Sequence, residues 1–444
     1  MKVLLISLGC DKNLVDSEFM LGLLNSSGYE LTDTEDDADI IIINTCCFIH
    51  DAKEESIETI LEMAEYKKTG VCKALIVCGC LAQRYHEEIE KEIPEVDAII
   101  GTTSYEDIVS SINEVINGAD GVHSTKLRDI NYLPSQDTAR IYSTGTEYSY
   151  LKIAEGCDKR CTYCIIPYLR GSYRSVPMEQ LLAQARYLAS RGVKELIIVA
   201  QDTTLYGKDL YGEYRLPELL EKLCRVDGIA WIRLLYAYPE DVTPELAKVI
   251  ADNDKICKYI DMPIQHASDN ILRRMGRRTN RAELIQKINM LRTTVPGIAI
   301  RTTLITGFPG ETEEDHLILK DFISEIRFDR LGVFQYSAEE NTPAAGFEDQ
   351  IAPEVMQKRY DELMQLQQGI AFEMAREKIG RVYDVIIEGE LPEDNVYIAR
   401  TMSDAPSIDG CVFIPVTDRY MSGDIIKAEI TDAVSYDLLG VPAL

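Results

Sequence analysis

Short apolar runs alternate with polar stretches of helical spacing along most of the chain. In the first hundred residues one unit recurs three times: an apolar strand, an exit carrying a cysteine, and a helix-like segment. Lys2–Ser7 leads to Gly9-Cys10, Ala38–Ile43 to Asn44-Thr45-Cys46, and Lys73–Val77 to Gly79-Cys80. Cys10, Cys46 and Cys80 are 36 and 34 residues apart, about one strand-helix-strand unit each. Nearly continuous apolar strands separated by helices predict a buried parallel sheet of Rossmann-like type. All three cysteines then share its carboxyl edge, where open parallel sheets bind ligands.

Periodicity lapses after Gly118, and residues 118–142 are expected to be a connector between a first domain (1–117) and a second (143–373). Six strands are predicted there, at Tyr150–Ala154, Glu195–Val199, Trp231–Tyr236, Lys258–Met262, Ile298–Ile305 and Arg330–Tyr336. Helical spacing in the stretches between them, as in Pro177–Ser190 and Thr312–Ile326, predicts a partial, open-sided (β/α)6 barrel, two units short of a closed eight-fold one. Pro353–Ile379 reads as a long amphipathic exit helix. Over 376–442, the runs Val382–Ile387, Val396–Arg400, Cys411–Val416 and Asp424–Thr431 predict a small antiparallel, OB-like β-barrel. The fold class is therefore α/β with a terminal all-β module.

Charge narrows the partners. With 74 acidic and 46 basic side chains the formal charge is −28, which disfavours nucleic acid as the main partner, since phosphate binding rests on clustered Lys and Arg. From Arg376 to the end there are 13 acidic and 6 basic residues, a poor phosphate clamp and a better surface for a basic protein. The start, Met1 to Cys10, resembles a lipoprotein signal, but its apolar stretch is too short and runs into Asp11 and Lys12. No run approaches the ~20 apolar residues of a membrane span. A cytoplasmic location is expected, where the 12 cysteines are reduced thiols or metal ligands.

The densest chemistry is Cys157-Asp158-Lys159-Arg160-Cys161-Thr162-Tyr163-Cys164, which follows the first barrel strand at the end where barrel enzymes keep their sites. A 4Fe-4S cluster takes four thiolates, so three leave one iron open. Tetrahedral zinc would need a fourth ligand, and this loop has no His. In the first domain the reading stays open: strand-end cysteines are commonly small buried hydrophobes, and Cys47 or Cys78 could replace a neighbour. The shared Gly-Cys exit favours Cys80, and Asn44-Thr45 points to Cys46.

The triplet spacing resembles the signature of the radical S-adenosylmethionine superfamily. Ser7-Leu8-Gly9-Cys10-Asp11-Lys12-Asn13, Asn44-Thr45-Cys46 and Cys80-Leu81-Ala82-Gln83-Arg84-Tyr85 extend the resemblance to the methylthiotransferase family over essentially the whole chain. That resemblance implies a cluster-binding first domain, a radical barrel and a terminal TRAM domain. It implies two 4Fe-4S clusters, one on Cys157, Cys161 and Cys164 and another on Cys10, Cys46 and Cys80. S-adenosylmethionine would serve as methyl donor and radical source, with sulfide or polysulfide at the amino-terminal cluster and an external electron donor.

Two branches of the family compete, one acting on adenosines of tRNA and the other on an aspartate of small-subunit ribosomal protein S-twelve. Leu8-Gly9-Cys10-Asp11-Lys12-Asn13, Tyr336-Ser337-Ala338-Glu339-Glu340-Asn341-Thr342 and Asp404-Ala405-Pro406-Ser407-Ile408-Asp409-Gly410 resemble the second. The acidic terminal module agrees. Tyr163, just before Cys164, and Gln201, Arg233 and Arg301, at predicted strand ends or turns, are candidates to hold the cofactor; the two arginines read equally as partners of local carboxylates, Gly307 to Glu311 reads equally as a turn, and His266 is assigned no role.

Overall fold

The computed structural model describes residues 1–118, 123–135 and 140–443, so parts of the expected connector lie outside the described residues. The first sheet has six parallel strands in the order Glu30–Leu31, Lys2–Ser7, Ile40–Thr45, Ala74–Gly79, Ala98–Ile100 and Ser124–Lys126. Ile40 to Ile43 are fully buried because helices cover both faces, and β-branched side chains pack well on such a pleated surface. Burying each contributes about 2 kcal/mol. Phe19, Met20 and Leu24 of helix Asp11–Ser26 pack on one face, and Ile60, Met63 and Ala64 of helix His50–Thr69 on the other. The register pairs Ser7 with Asn44 and Thr45 with Gly79, which brings the three cysteine exits side by side.

The second sheet is also wholly parallel and runs in chain order: Tyr148–Lys152, Glu195–Val199, Trp231–Leu234, Ile256–Asp261, Ala299–Thr306 and Arg330–Gln335. Its first and last strands are its two edges, which makes it the expected six-unit open barrel. Leu196, Ile198, Ile232 and Leu234 face the surrounding helices, while Tyr150, Ile197 and Arg233 share a register row on the concave face. Helix Glu313–Ile326 begins with a capping box, Thr312 and Asp315 each bonding the other's backbone N–H. The long helix Pro353–Arg376 lies against the last unit, with Gln367 donating to the Phe328 carbonyl at 2.8 Å.

The terminal module is a closed barrel in the order Val382–Leu391, Val396–Thr401, Val412–Pro415, Asp437–Pro442, Ile425–Val434. It departs from the all-antiparallel expectation: Val412–Pro415 pairs parallel with Asp437–Pro442. That last strand is absent from the sequence reading because Gly440 and Pro442 interrupt its pattern. Closure removes every exposed strand edge. The loop from Met402 to Asp409 enters the concave face of the second sheet, where Arg233 donates to the Met402 carbonyl at 2.8 Å and Tyr259 to Asp409 at 2.9 Å. No helix of the described residues is long and apolar enough to cross a membrane.

Candidate functional site

In the first domain, Asn13 fastens two of the cysteine exits. Its amide donates to the carbonyls of Leu8 at 2.8 Å and Thr45 at 3.1 Å, the residues just ahead of the Cys10 and Cys46 turns. Asn44 returns the contact, donating to the Asn13 carbonyl at 2.9 Å. The third exit abuts them: Gly79 has φ +91°, and a Cβ there would lie 2.3 Å from Asn44 Oδ1, so only glycine fits. Cys10 is exposed, whereas Cys46 and Cys80 are buried. Burial and then repulsion from Cys80 and Cys10 push the Cys46 thiol up to about 12. Cys80 is raised by burial, against the pull of Arg170 beside it.

The two alternatives differ in their surroundings. Cys78 points into the core, 3.9 Å from Met20 Sδ and 3.5 Å from the Ile43 carbonyl. Cys47 is also fully buried; burial and then the charge of Cys80 raise its thiol, against the pull of the Arg84 guanidinium.

The second triplet lies in one loop between the strand end at Glu155 and the short helix Ile166–Arg170. Thr162 anchors it to two other loops: its N–H donates to the Met275 carbonyl at 2.9 Å, its hydroxyl to the Arg274 carbonyl at 2.8 Å, and its carbonyl accepts from Ala344 at 2.9 Å. Lys159 pairs with Asp241 and lies 3.5 Å from Asp202, which fixes the loop to the next two strand ends. Burial raises Asp202 to about 6 despite that lysine. Burial pushes Cys157 up to about 12, and Cys164 is raised by burial and then by the charges of Cys161 and Cys157. Such thiols ionise when iron replaces their protons.

The surrounding donors fit a charged, polar group. Arg277 is buried over the Tyr238 ring at 4.4 Å, and its Nε and Nη1 have no hydrogen-bond partner. Cys161 acts on its charge. Gln201 donates to Glu155 at 2.7 Å and leaves its own carbonyl oxygen buried without a partner. Buried donors and acceptors left open in this way are costly unless a ligand meets them. Among the described residues, no three His, Cys, Asp or Glu side chains are grouped so as to hold a single metal ion. A multi-iron cluster spreads its thiolates over separate irons and makes no such demand.

The two domains meet over this region. Lys12 Nζ sits 3.4 Å above the Tyr236 ring, and Tyr236 donates to Asp11 at 3.1 Å. Arg84 and Lys53 both reach Glu339, at 2.9 and 3.1 Å. A cleft of about 650 Å³ opens between Phe48 to Asp51 on one side and Tyr163, Gln265, Phe334 and Tyr336 on the other.

The chain matches the uncharacterized protein family UPF0004 over residues 2–101, the radical SAM superfamily over 151–323 and the TRAM domain over 379–442. It is 60% identical to the ribosomal protein uS12 methylthiotransferase RimO of Lachnoclostridium phytofermentans, over 99% of each chain. The RimO of Clostridioides difficile is 51% identical, over 99% of this chain and 98% of that one. The chain belongs to the RimO methylthiotransferase family. The radical S-adenosylmethionine methyltransferase TsrM from Kitasatospora setae shares its fold with a TM-score of 0.55 at 12% identity, over 83% of this chain and 89% of that one. Cobalamin-dependent OxsB gives 0.51 at 15% identity, over 83% and 56%.

Within this RimO-family fold, two expected cofactor residues stand elsewhere. Arg233 is buried in an ion pair with Glu195 at 2.6 Å, and Arg400 of the terminal barrel pairs with the same carboxylate at 2.7 Å. Arg301 pairs with Asp261 at 2.8 Å and lies 3.8 Å from Asp409. Both arginines also reach the TRAM loop from the concave face, but their charges are met first by Glu195 and Asp261 of the barrel's own strands. Tyr163 lines the cleft and packs edge-on against Phe308, while Gln201 stands beside the radical loop through Glu155. Gly307 to Glu311 forms a turn, with Glu311 accepting from Gly307 and Phe308 N–H groups at 2.5 and 3.1 Å. Asn13, Arg170 and Arg277 are residues that pattern reading missed. Asn13 stood inside a quoted motif, but nothing in the sequence marked the arginines' partners.

Proposed function

We propose that the chain transfers a methylthio group to the β-carbon of an aspartate in ribosomal protein uS12, the protein named in its relatives' descriptions. One observation carries the reading: a three-thiol loop at the carboxyl end of the first barrel strand leads into a helix whose Arg170 donates to Cys80, one of a second set of three cysteine exits that lie side by side. Cys157, Cys161 and Cys164 would hold a 4Fe-4S cluster that, when bound, supplies the electron for cleaving S-adenosylmethionine to a hydrogen-abstracting radical. Cys10, Cys46 and Cys80 would hold the other, which supplies a sulfide or polysulfide sulfur that takes a methyl group from another S-adenosylmethionine.

The chain's own residues bind and orient. The unpartnered N–H groups of Arg277 are suited to the carboxylate of the methionine moiety. Tyr163 and Phe308 close one wall against water, which strengthens charge interactions inside. The open side of the barrel, facing the cleft, admits a protein loop. Solvent-facing Asp384, Glu390, Glu393, Asp394, Asp418 and Asp432 on the terminal barrel favour a basic partner. The same acidic surface argues against tRNA, and an external electron donor completes the reaction in the cytoplasm.

Mass spectrometry of uS12 and of bulk tRNA from cells with and without the gene tests this reading. The expected result is a methylthio group lost from uS12 alone; loss from tRNA with uS12 unchanged overturns it.

A further inference from the structure

Arg170 ends the short helix that follows the radical loop, yet its side chain finishes inside the amino-terminal domain. Nη2 donates to Cys80 Sγ at 3.4 Å and to Asn13 Oδ1 at 2.8 Å. Nη1 donates to Asp16 at 2.7 Å and to Glu155 at 3.2 Å. The side chain is only 2% exposed, and a buried guanidinium is tolerated only where its N–H groups find acceptors. Asp16 comes from the first domain and Glu155 from the barrel, so the group is clamped from both sides.

The charges balance before Cys80 enters. Lys152 pairs with the same two carboxylates, giving two cations and two anions in one buried cluster. The N–H aimed at Cys80 therefore meets a sulfur that becomes anionic when it ligates iron. Hydrogen bonds to ligand sulfurs, together with nearby charge, set the potential of iron-sulfur clusters, and a donor favours the more electron-rich reduced state.

We infer that Arg170 is a positioning residue that raises the reduction potential of the amino-terminal cluster through Cys80 and fixes that cluster relative to the radical loop. The inference rests on the reading of Cys10, Cys46 and Cys80 as cluster ligands. No other residue of the radical loop or its following helix donates to one of these three sulfurs among the described contacts.

The test uses the full chain with Cys157→Ala, Cys161→Ala and Cys164→Ala, reconstituted anaerobically so that only the amino-terminal cluster remains. Iron content and an EPR-monitored redox titration are read on this parent and on two further variants. Arg170→Gln is expected to retain the cluster and move its midpoint potential to more negative values by at least tenfold in the equilibrium constant, ~59 mV for one electron. Arg170→Lys keeps the charge that balances Asp16 and Glu155 but shortens the reach to sulfur, so a smaller negative shift is expected even if the glutamine variant fails to fold. Unchanged potentials in variants that carry parental iron overturn the inference, because a merely structural role would lower iron content or stability without moving the potential. A parent without iron overturns the ligand assignment itself, which distinguishes the two failures.

Discussion

Gly156 immediately precedes the first thiol of the radical loop, and Gly156→Ala puts a methyl group where none can go. The residue has φ +80°, and a Cβ there would lie 2.1 Å from the Ser172 carbonyl oxygen and 2.6 Å from that of Gly171. These are backbone atoms, so relief requires the two segments to separate by about 1 Å. The left-handed conformation adds roughly 1–2 kcal/mol for alanine. Separation also breaks the bond from the Cys157 N–H to the Gly171 carbonyl, now 3.1 Å, worth about 1 kcal/mol. A local cost of roughly 2–3 kcal/mol falls on one of the proposed cluster ligands, and 1 Å of misplacement costs on the order of 100-fold in rate. The assay is iron per chain and deoxyadenosine release after anaerobic reconstitution and reduction. Gly156→Ala should lose about half its iron, the radical-loop share, and release deoxyadenosine at least 100-fold more slowly. Gly212→Ala is the control, with φ +81° but nothing within 4 Å of the added Cβ, and should keep both. Parental iron and deoxyadenosine release in Gly156→Ala would refute the steric reasoning.

Three other outcomes follow from the geometry. Arg400→Ala leaves the buried carboxylate of Glu195 with Arg233 as its one remaining cation and should destabilise the chain by about 3–5 kcal/mol, seen as a lower thermal midpoint and earlier proteolysis of the terminal barrel; an unchanged midpoint contradicts that seat. Asp202 binds its proton more tightly folded, at about 6, than its ordinary 3.8. Its contribution is therefore full below pH 3.8 and lost as pH rises through 6, by about 3 kcal/mol, so Asp202→Asn should flatten the fall in thermal midpoint over that window, and an equally steep fall would show that this carboxyl is not its source. Glu393→Lys with Asp394→Lys, both at exposed positions, should slow association with uS12 roughly tenfold at low salt while leaving deoxyadenosine release without uS12 intact; a parental association rate would place the docking surface elsewhere.

Most of the fold was legible because its strands are long and apolar. Ile40 to Ile43 and Glu195–Val199 could be little else, and each strand of the second sheet was found within a few residues of its observed bounds. The short strands Glu30–Leu31, Ala98–Ile100 and Ser124–Lys126 were missed because two or three residues carry no period. The thiol sets were legible as local motifs. The roles of Arg233, Arg301 and Arg170 were not, since each is defined by partners far away in sequence, Met402, Asp409 and Asn13 among them. A strand-end arginine looks the same whether it meets a cofactor or a buried glutamate, and only the seating of the Met402 to Asp409 loop decides between them.

The central claim is that the two thiol sets do different jobs in one reaction. Its most direct measurement is deoxyadenosine release and uS12 methylthiolation, side by side, in a Cys10→Ala, Cys46→Ala, Cys80→Ala chain. The account predicts that deoxyadenosine is still released while uS12 stays unmodified. Methylthiolated uS12 from that chain would contradict it.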